Sequence, residues 1–296
     1  MIDFSEYIPN FQAELIPIKN LVSNQEYQRN LSLVHIRRIV ADFDVYQINF
    51  VKVSRRDGLN RVINGQHTIE TVAAASGSRE TPVWCMVYHG LTYEQEARIF
   101  ANQQKWVKGL SAFEIFAANI EAGNDDQLLI KDLVESYDLT LSSTRAASTI
   151  CAITSLEQIY MKYRFHVLDR TLRLIVGTWE GDPLSLSANM LRGVARLVVS
   201  YGDLMKDDLF CDRLGKVSAR GITRDAKEKR EGSLGFAEAI LAVYNKKTNG
   251  GLRRTMLYGE NPHYSIVHEI AEMQKEESDD YAFAAEPDKL RAAVMR

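Results

Sequence analysis

The chain has 296 residues, of which 46% are hydrophobic and 25% charged, and its formal net charge is -3. That length exceeds a usual single domain, so one domain with a sizeable extension, or two domains, is expected, and the composition excludes a wholly disordered chain. The small net charge neither favours nor excludes nucleic acid, because a local patch matters more than the total. No run of about 18 apolar residues occurs, and Met1-Ile2-Asp3-Phe4-Ser5-Glu6 has no basic stretch followed by an apolar one. A soluble cytoplasmic protein is expected. Cys85, Cys151 and Cys211 are odd in number and widely spaced, which predicts reduced buried thiols rather than disulfides or structural zinc.

The first hundred residues mix strands and helices. Glu14 to Ile18 reads as a short strand, and Ser23 to Asn30 as a polar loop. Leu33, Ile36, Ile39, Val40 and Phe43 then fall at helical spacing, with Ser32 as a candidate cap. Ile48–Val53 and Asn60–Ile63 are β-rich runs joined by Arg55-Arg56-Asp57-Gly58, a hairpin signal because Asp-Gly accommodates positive φ. After the second run comes Asn64-Gly65-Gln66-His67-Thr68-Ile69-Glu70, entering a helix over Thr68–Ala75. A strand that turns at glycine into a helix leaves backbone N–H groups unpaired beside the positive end of the helix dipole. Such a corner is either a plain capped turn or a site for phosphate. Pro82 to Tyr88 is the last clear strand.

Helical signals dominate from Thr92 onward. Thr92-Tyr93-Glu94-Gln95 and Ser111-Ala112-Phe113-Glu114 both have capping-box form, the second opening a helix to Ala122 that Gly123 stops. Further amphipathic runs cover Gln127–Tyr137, Ser148–Tyr163, Val167–Trp179, Ser187–Tyr201 and Gly235–Tyr244. The expected class is α+β: a small mixed sheet with helices over residues 1–123, an all-helical region over 124–258, and an acidic C-terminal tail over 259–296. Between Arg213 and Arg254 eleven bases face four acids, a local charge of +7. This run is either a solvated surface or a nucleic-acid contact, for which Arg220, Arg224, Lys227 and Arg230 are the candidates. The acidic tail could be a mobile arm or could cover the basic segment.

Three segments carry a family resemblance. Val62-Ile63-Asn64-Gly65-Gln66-His67-Thr68 resembles the glycine turn of the ParB N-terminal-like and sulfiredoxin-like superfamily, including the DGQHR proteins related to DndB. Asn24-Gln25-Glu26-Tyr27-Gln28-Arg29 resembles the loop that precedes its first helix. Glu96 to Lys105, with Leu110-Ser111-Ala112-Phe113-Glu114 after it, resembles a third ParB stretch. The order is the expected one and covers residues 13–123.

The resemblance implies a nucleotide or phosphate site built from Arg29, Asn64, Gly65, Gln66, His67, Thr68 and Asn102, taking a nucleoside triphosphate such as CTP or ATP. Gln66, His67 and Thr68 stand where ParB has Glu-Arg-Arg, Ala101 where it has the metal-binding acid, and Lys105 where it has arginine. Losing the guanidinium forks and the carboxylate argues against Mg²⁺ and against triphosphate hydrolysis. His67 either donates to phosphate or holds the turn through a backbone carbonyl. Gln66 occupies the position of the sulfiredoxin cysteine, which argues against thiol chemistry. The resemblance also places a helix-turn-helix near Ser142–Thr149, with Arg145 as a DNA contact. The expected function is a DNA-associated binding or regulatory protein of a phage, plasmid or other mobile element, and a homodimer as ParB relatives are. The alternative is an enzyme acting on nucleotide or DNA phosphate: an NTPase, a nuclease, or a kinase with Glu26 or Glu70 as base.

Overall fold

The computed structural model describes residues 8–23, 26–28, 30–103, 105, 107–246 and 251–259. The chain divides into two compact units, 1–109 and 110–296. The first contains β1 (Gln12–Pro17), β2 (Leu21–Ser23), α1 (Leu33–Ala41), β3 (Val51–Arg56), β4 (Leu59–Asn64), α2 (Gln66–Ser76), β5 (Pro82–His89) and α3 (Tyr93–Asn102). Its strands form one five-stranded mixed sheet in the order β1-β5-β3-β4-β2. β1 runs antiparallel to β5 and β3 antiparallel to β4, while the pairs β3–β5 and β2–β4 are parallel. Alternation along β5 sets its inner face: Val83, Cys85 and Val87 are buried and Trp84 points outward. Ile69 and Val72 of α2 join them in a core with Val51, Val53 and Val62.

The β3–β4 hairpin turns on Asp57 and Gly58, both at positive φ (54° and 73°), as a two-residue connection requires. Strand β2 is absent from the elements expected of the sequence, and only its Ser23 falls in the loop read over Ser23–Asn30. Its three residues carry no periodic signal; parallel pairing with β4, Leu21 against Asn60, makes it a strand. Of the predicted apolar face around α1, Ile36 is buried and Ile39 and Val40 are half-buried, while Leu33 and Phe43 are exposed.

The second unit contains α4 (Ala112–Glu121), α5 (Asp125–Glu135), β6 (Thr140–Leu141), β7 (Thr149–Ile150), α6 (Ile153–Trp179), α7 (Ala188–Tyr201), α8 (Asp207–Leu214), α9 (Ala219–Lys229) and α10 (Gly232–Tyr244), then a 3-10 turn at Arg254–Tyr258. Both capping boxes form as read, at Thr92 and Ser111. Residues 142–149 are not a helix-turn-helix: β6 and β7 pair in parallel, and Thr140 N–H donates to Ser148 C=O at 2.9 Å. Two predicted helices merge into α6 across a break at Arg164 (φ 62°, ψ -170°). That region of φ/ψ is essentially reserved for glycine and costs a side-chain-bearing residue about 1–3 kcal/mol. Helices α8 and α9 are polar overall. Only Ala219, Ile222 and Ala226 of α9 are buried, and two of the three are alanines. All three cysteines are free, but Cys151 is exposed, against the expectation of buried thiols. The predicted acidic tail lies outside the described residues beyond Gly259.

Candidate functional site

Gly65 closes β4 and begins α2 with φ 109° and ψ 14°. A side chain there is opposed twice. The φ is one that L residues rarely adopt, and a Cβ would lie 3.0 Å from Val51 Cγ2 and 3.1 Å from Val51 Cα. Asn64 Oδ1 accepts the Gly65 N–H at 2.8 Å and fixes the turn. The first helical bond of α2 runs from Ile69 N–H to Gly65 C=O, so the amides of Gln66, His67 and Thr68 precede the intrahelical ladder. Whereas Ser32 and Thr92 cap α1 and α3, no side chain caps α2.

Those amides belong to residues that line a cleft of about 110 Å³ together with Gln28, Asn64 and Phe100. At roughly 30 Å³ per water the space holds a few waters or one phosphate-sized group. Gln28 is docked by its own amide, whose Nε2 donates to Val62 C=O at 2.7 Å. Behind it Tyr27 packs against Tyr93 and Phe100. Burial, and after it the charge of Glu96, push the Tyr27 hydroxyl up to about 12. Glu96 is itself fully buried and takes a bond from the part-exposed Arg56, whose Nε lies 3.1 Å away, so an ion pair secures α3 against the hairpin.

His67 makes a contact between two helix starts. Its Nε2 accepts the backbone N–H of Ser32 at 3.2 Å, tying the start of α1 to the start of α2. A ring nitrogen that accepts cannot carry a proton, so the neutral ring in this geometry holds its hydrogen on Nδ1. His35 meets the His67 ring edge-on, with centroids 5.7 Å apart. On the far side of His67 and Thr68 lies a larger pocket, about 490 Å³, also lined by His35, Arg38, Asp42 and Asp44. Thr71, 2% exposed, is among the lining residues, and its buried Oγ1 has no partner among the described residues.

Asn64, Gly65, Gln66, His67 and Thr68 thus come together in one cleft. Asn102, exposed at the end of α3, is not among its lining residues. Arg29 lies outside the described residues. His35, Arg38 and Thr71 were missed. The first two are three residues apart on a helix read for its apolar stripe, and their convergence on α2 is long-range. Both carboxylates considered as a base are engaged: Glu70 with Arg79 at 3.0 Å, and Glu26 with the Tyr93 hydroxyl at 2.6 Å.

In the second unit, Arg220, Arg224 and Lys227 recur at four- and three-residue spacing on α9, opposite its buried Ala219, Ile222 and Ala226, so they share one exposed face. Arg230 is the C-cap residue of the same helix, while Arg145 sits apart in the exposed loop between β6 and β7. Among the described residues no ion pair engages Arg220, Lys227 or Arg230; Arg224 pairs with Asp225 at 3.2 Å. No group of three metal-binding side chains occurs among the described residues, and no described helix is long and apolar enough to cross a membrane.

These features define an α+β protein, a five-stranded mixed sheet with helices followed by a helical region, with an uncapped glycine turn at a cleft. The chain belongs to a family of unknown function, DUF6551, whose model matches residues 22–258. No curated protein matches it. Among solved structures it is similar to the C-terminally truncated chromosome-partitioning protein ParB from Caulobacter crescentus complexed with CTP-γ-S, with a TM-score of 0.33 and 13% identity over 77% of this chain and 98% of that one.

Proposed function

We propose that this protein is a DNA-associated regulatory protein whose glycine turn binds the phosphates of a nucleoside triphosphate, CTP or ATP. The observation that carries the reading is the uncapped start of α2, which opens onto the 110 Å³ cleft and shares His67 and Thr68 with the 490 Å³ pocket. Phosphate meets amides and the positive helix end at the turn. The larger pocket is within the usual range of small-ligand sites, about 300–1,000 Å³. Its Arg38 and histidines supply donors, and Asp42 and Asp44 supply acceptors for hydroxyl or amino groups. The residues present therefore suit an anion with a polar base or sugar attached.

Binding rather than turnover fits the same residues. Ala101 stands where the resembling family has its metal-binding acid, and Glu26 and Glu70 are held by Tyr93 and Arg79. The DNA part rests on the exposed basic face of α9, whose Arg220, Arg224 and Lys227 are spaced to meet successive phosphates. A homodimer is part of the proposal.

Calorimetry and thermal shift with CTP, ATP, GTP and inorganic triphosphate, each with and without Mg²⁺, test the pocket. A ligand of the folded state raises the midpoint by an amount set by its concentration over Kd, and the gain is lost in Gly65→Ala. No shift by any of the four at millimolar concentration overturns nucleotide binding.

A further inference from the structure

A second groove, in the helical unit, points to a ligand that the glycine turn does not explain. It has a volume of about 520 Å³ and is walled by α6 and α7, with Ser233 of α10 at one side. Its bases are Lys162, Arg192 and Arg196, and no acid lines it. The floor is apolar, from Ile159, Met161 and Ala195.

Two of the cations are placed without a counter-charge. Arg192 Nε donates to Ala188 C=O at 3.2 Å, and its remaining contacts are to the side-chain amides of Gln158 and Asn189. Arg196 donates to the Leu257 carbonyl. Neither forms an ion pair among the described residues, although both are part-buried. A guanidinium that is positioned by neutral acceptors and left without a carboxylate is pre-set for an incoming anion.

The aromatic content selects which anion. Where α6 breaks at Arg164, the chain reads Tyr160-Met161-Lys162-Tyr163-Arg164-Phe165-His166, four rings interleaved with basic groups. Tyr163 lines the groove, with the Lys162 ammonium 5.0 Å from its ring centroid. Met161 and Phe165 are 46% and 43% exposed. Carboxylates and phosphates suit arginine equally, but flat faces beside cations suit a phosphate chain that also carries free bases. Bases of a duplex are stacked on one another and cannot reach these rings.

We propose that this groove binds single-stranded nucleic acid, phosphates on Arg192, Arg196 and Lys162 and a base against Tyr163. The proposal rests on the DNA-associated reading above but uses neither the glycine turn nor α9. In the full-length protein, anisotropy of a fluorescein-labelled oligo(dT) fifteen-mer is expected to report binding that the double variant Lys162→Gln/Arg192→Gln weakens about tenfold or more. That variant also flattens the salt dependence by about 1.4 in log–log slope, two phosphate contacts at roughly 0.7 each. Tyr163→Leu keeps the charge and loses the stacking, so it is expected to weaken oligo(dT) binding while leaving poly-glutamate binding as it was. Oligo(dT) binding sensitive to the groove variants in a protein that no nucleotide stabilises, or the reverse outcome, separates failure of this proposal from failure of the nucleotide reading. Oligo(dT) binding indifferent to the groove variants, with melting curves matching the parent, overturns the proposal. So does a duplex whose binding the groove variants weaken as much as they weaken that of the single strand.

Discussion

Gly65→Ala isolates the local physics of the turn. Two costs add. A residue with a Cβ forced to left-handed φ loses about 1–2 kcal/mol, and Gly65 sits at 109°. A methyl group 3.0–3.1 Å from three atoms of the fully buried Val51 then overpacks the core, typically about 1–3 kcal/mol. Alanine reduces the freedom of the unfolded chain and returns about 0.4–1 kcal/mol. The net is about 3 kcal/mol of destabilisation, enough to lower the midpoint of a unit this size by more than about 10 °C. Urea unfolding, with hydrogen exchange on β3 and β4 to localise the loss, measures it. Truncating Val51 to alanine removes two of the three close atoms but not Cα, so the cost of Gly65→Ala falls by part, not all, in that background. A loss below about 0.5 kcal/mol, or no coupling to Val51, would refute the reasoning.

Four further outcomes are expected. His67→Ala removes the acceptor of the Ser32 N–H; the start of α1 then exchanges faster in hydrogen exchange, and stability drops by about 0.5–1.5 kcal/mol. Hydrogen bonding from Arg55, at 2.7 and 2.9 Å, holds the Glu14 carboxyl below its ordinary value of 4.5. Its stabilisation is present above that pH and lost as pH falls through the lowered value, so Glu14→Gln flattens the acid limb of a melting-temperature profile. Cys85, whose thiol burial pushes up to about 11, stays unmodified when exposed Cys151 is alkylated at neutral pH, as read by peptide mass spectrometry. Reversing Arg220, Arg224 and Lys227 to glutamate weakens duplex binding and flattens its salt slope by about 2.7, three contacts at roughly 0.9 each, in a filter-binding titration.

Where a signal is local, the sequence was sufficient. Asp57-Gly58, the boxes at Thr92 and Ser111, and the glycine of the turn act on their immediate neighbours, and the structure shows each in the conformation its residue type favours. Strand β2 was invisible because parallel pairing with β4, some forty residues on, stabilises it. The weakly apolar α9 was passed over because two small alanines and one isoleucine suffice for a buried face.

For the site the division is similar. The sequence by itself determined the α+β class and the five contiguous residues Asn64 to Thr68, since a strand–glycine–helix corner brings its own amides together. Only the tertiary structure decided that His67 spends Nε2 on Ser32, that His35, Arg38 and Thr71 face the same space, and that Asn102 does not line the cleft. It also brought Arg192 and Arg196 of α7 to the broken stretch of α6. The physical reason is range: turns and caps are set by a few dihedrals, whereas a pocket is set by the packing of elements distant in sequence.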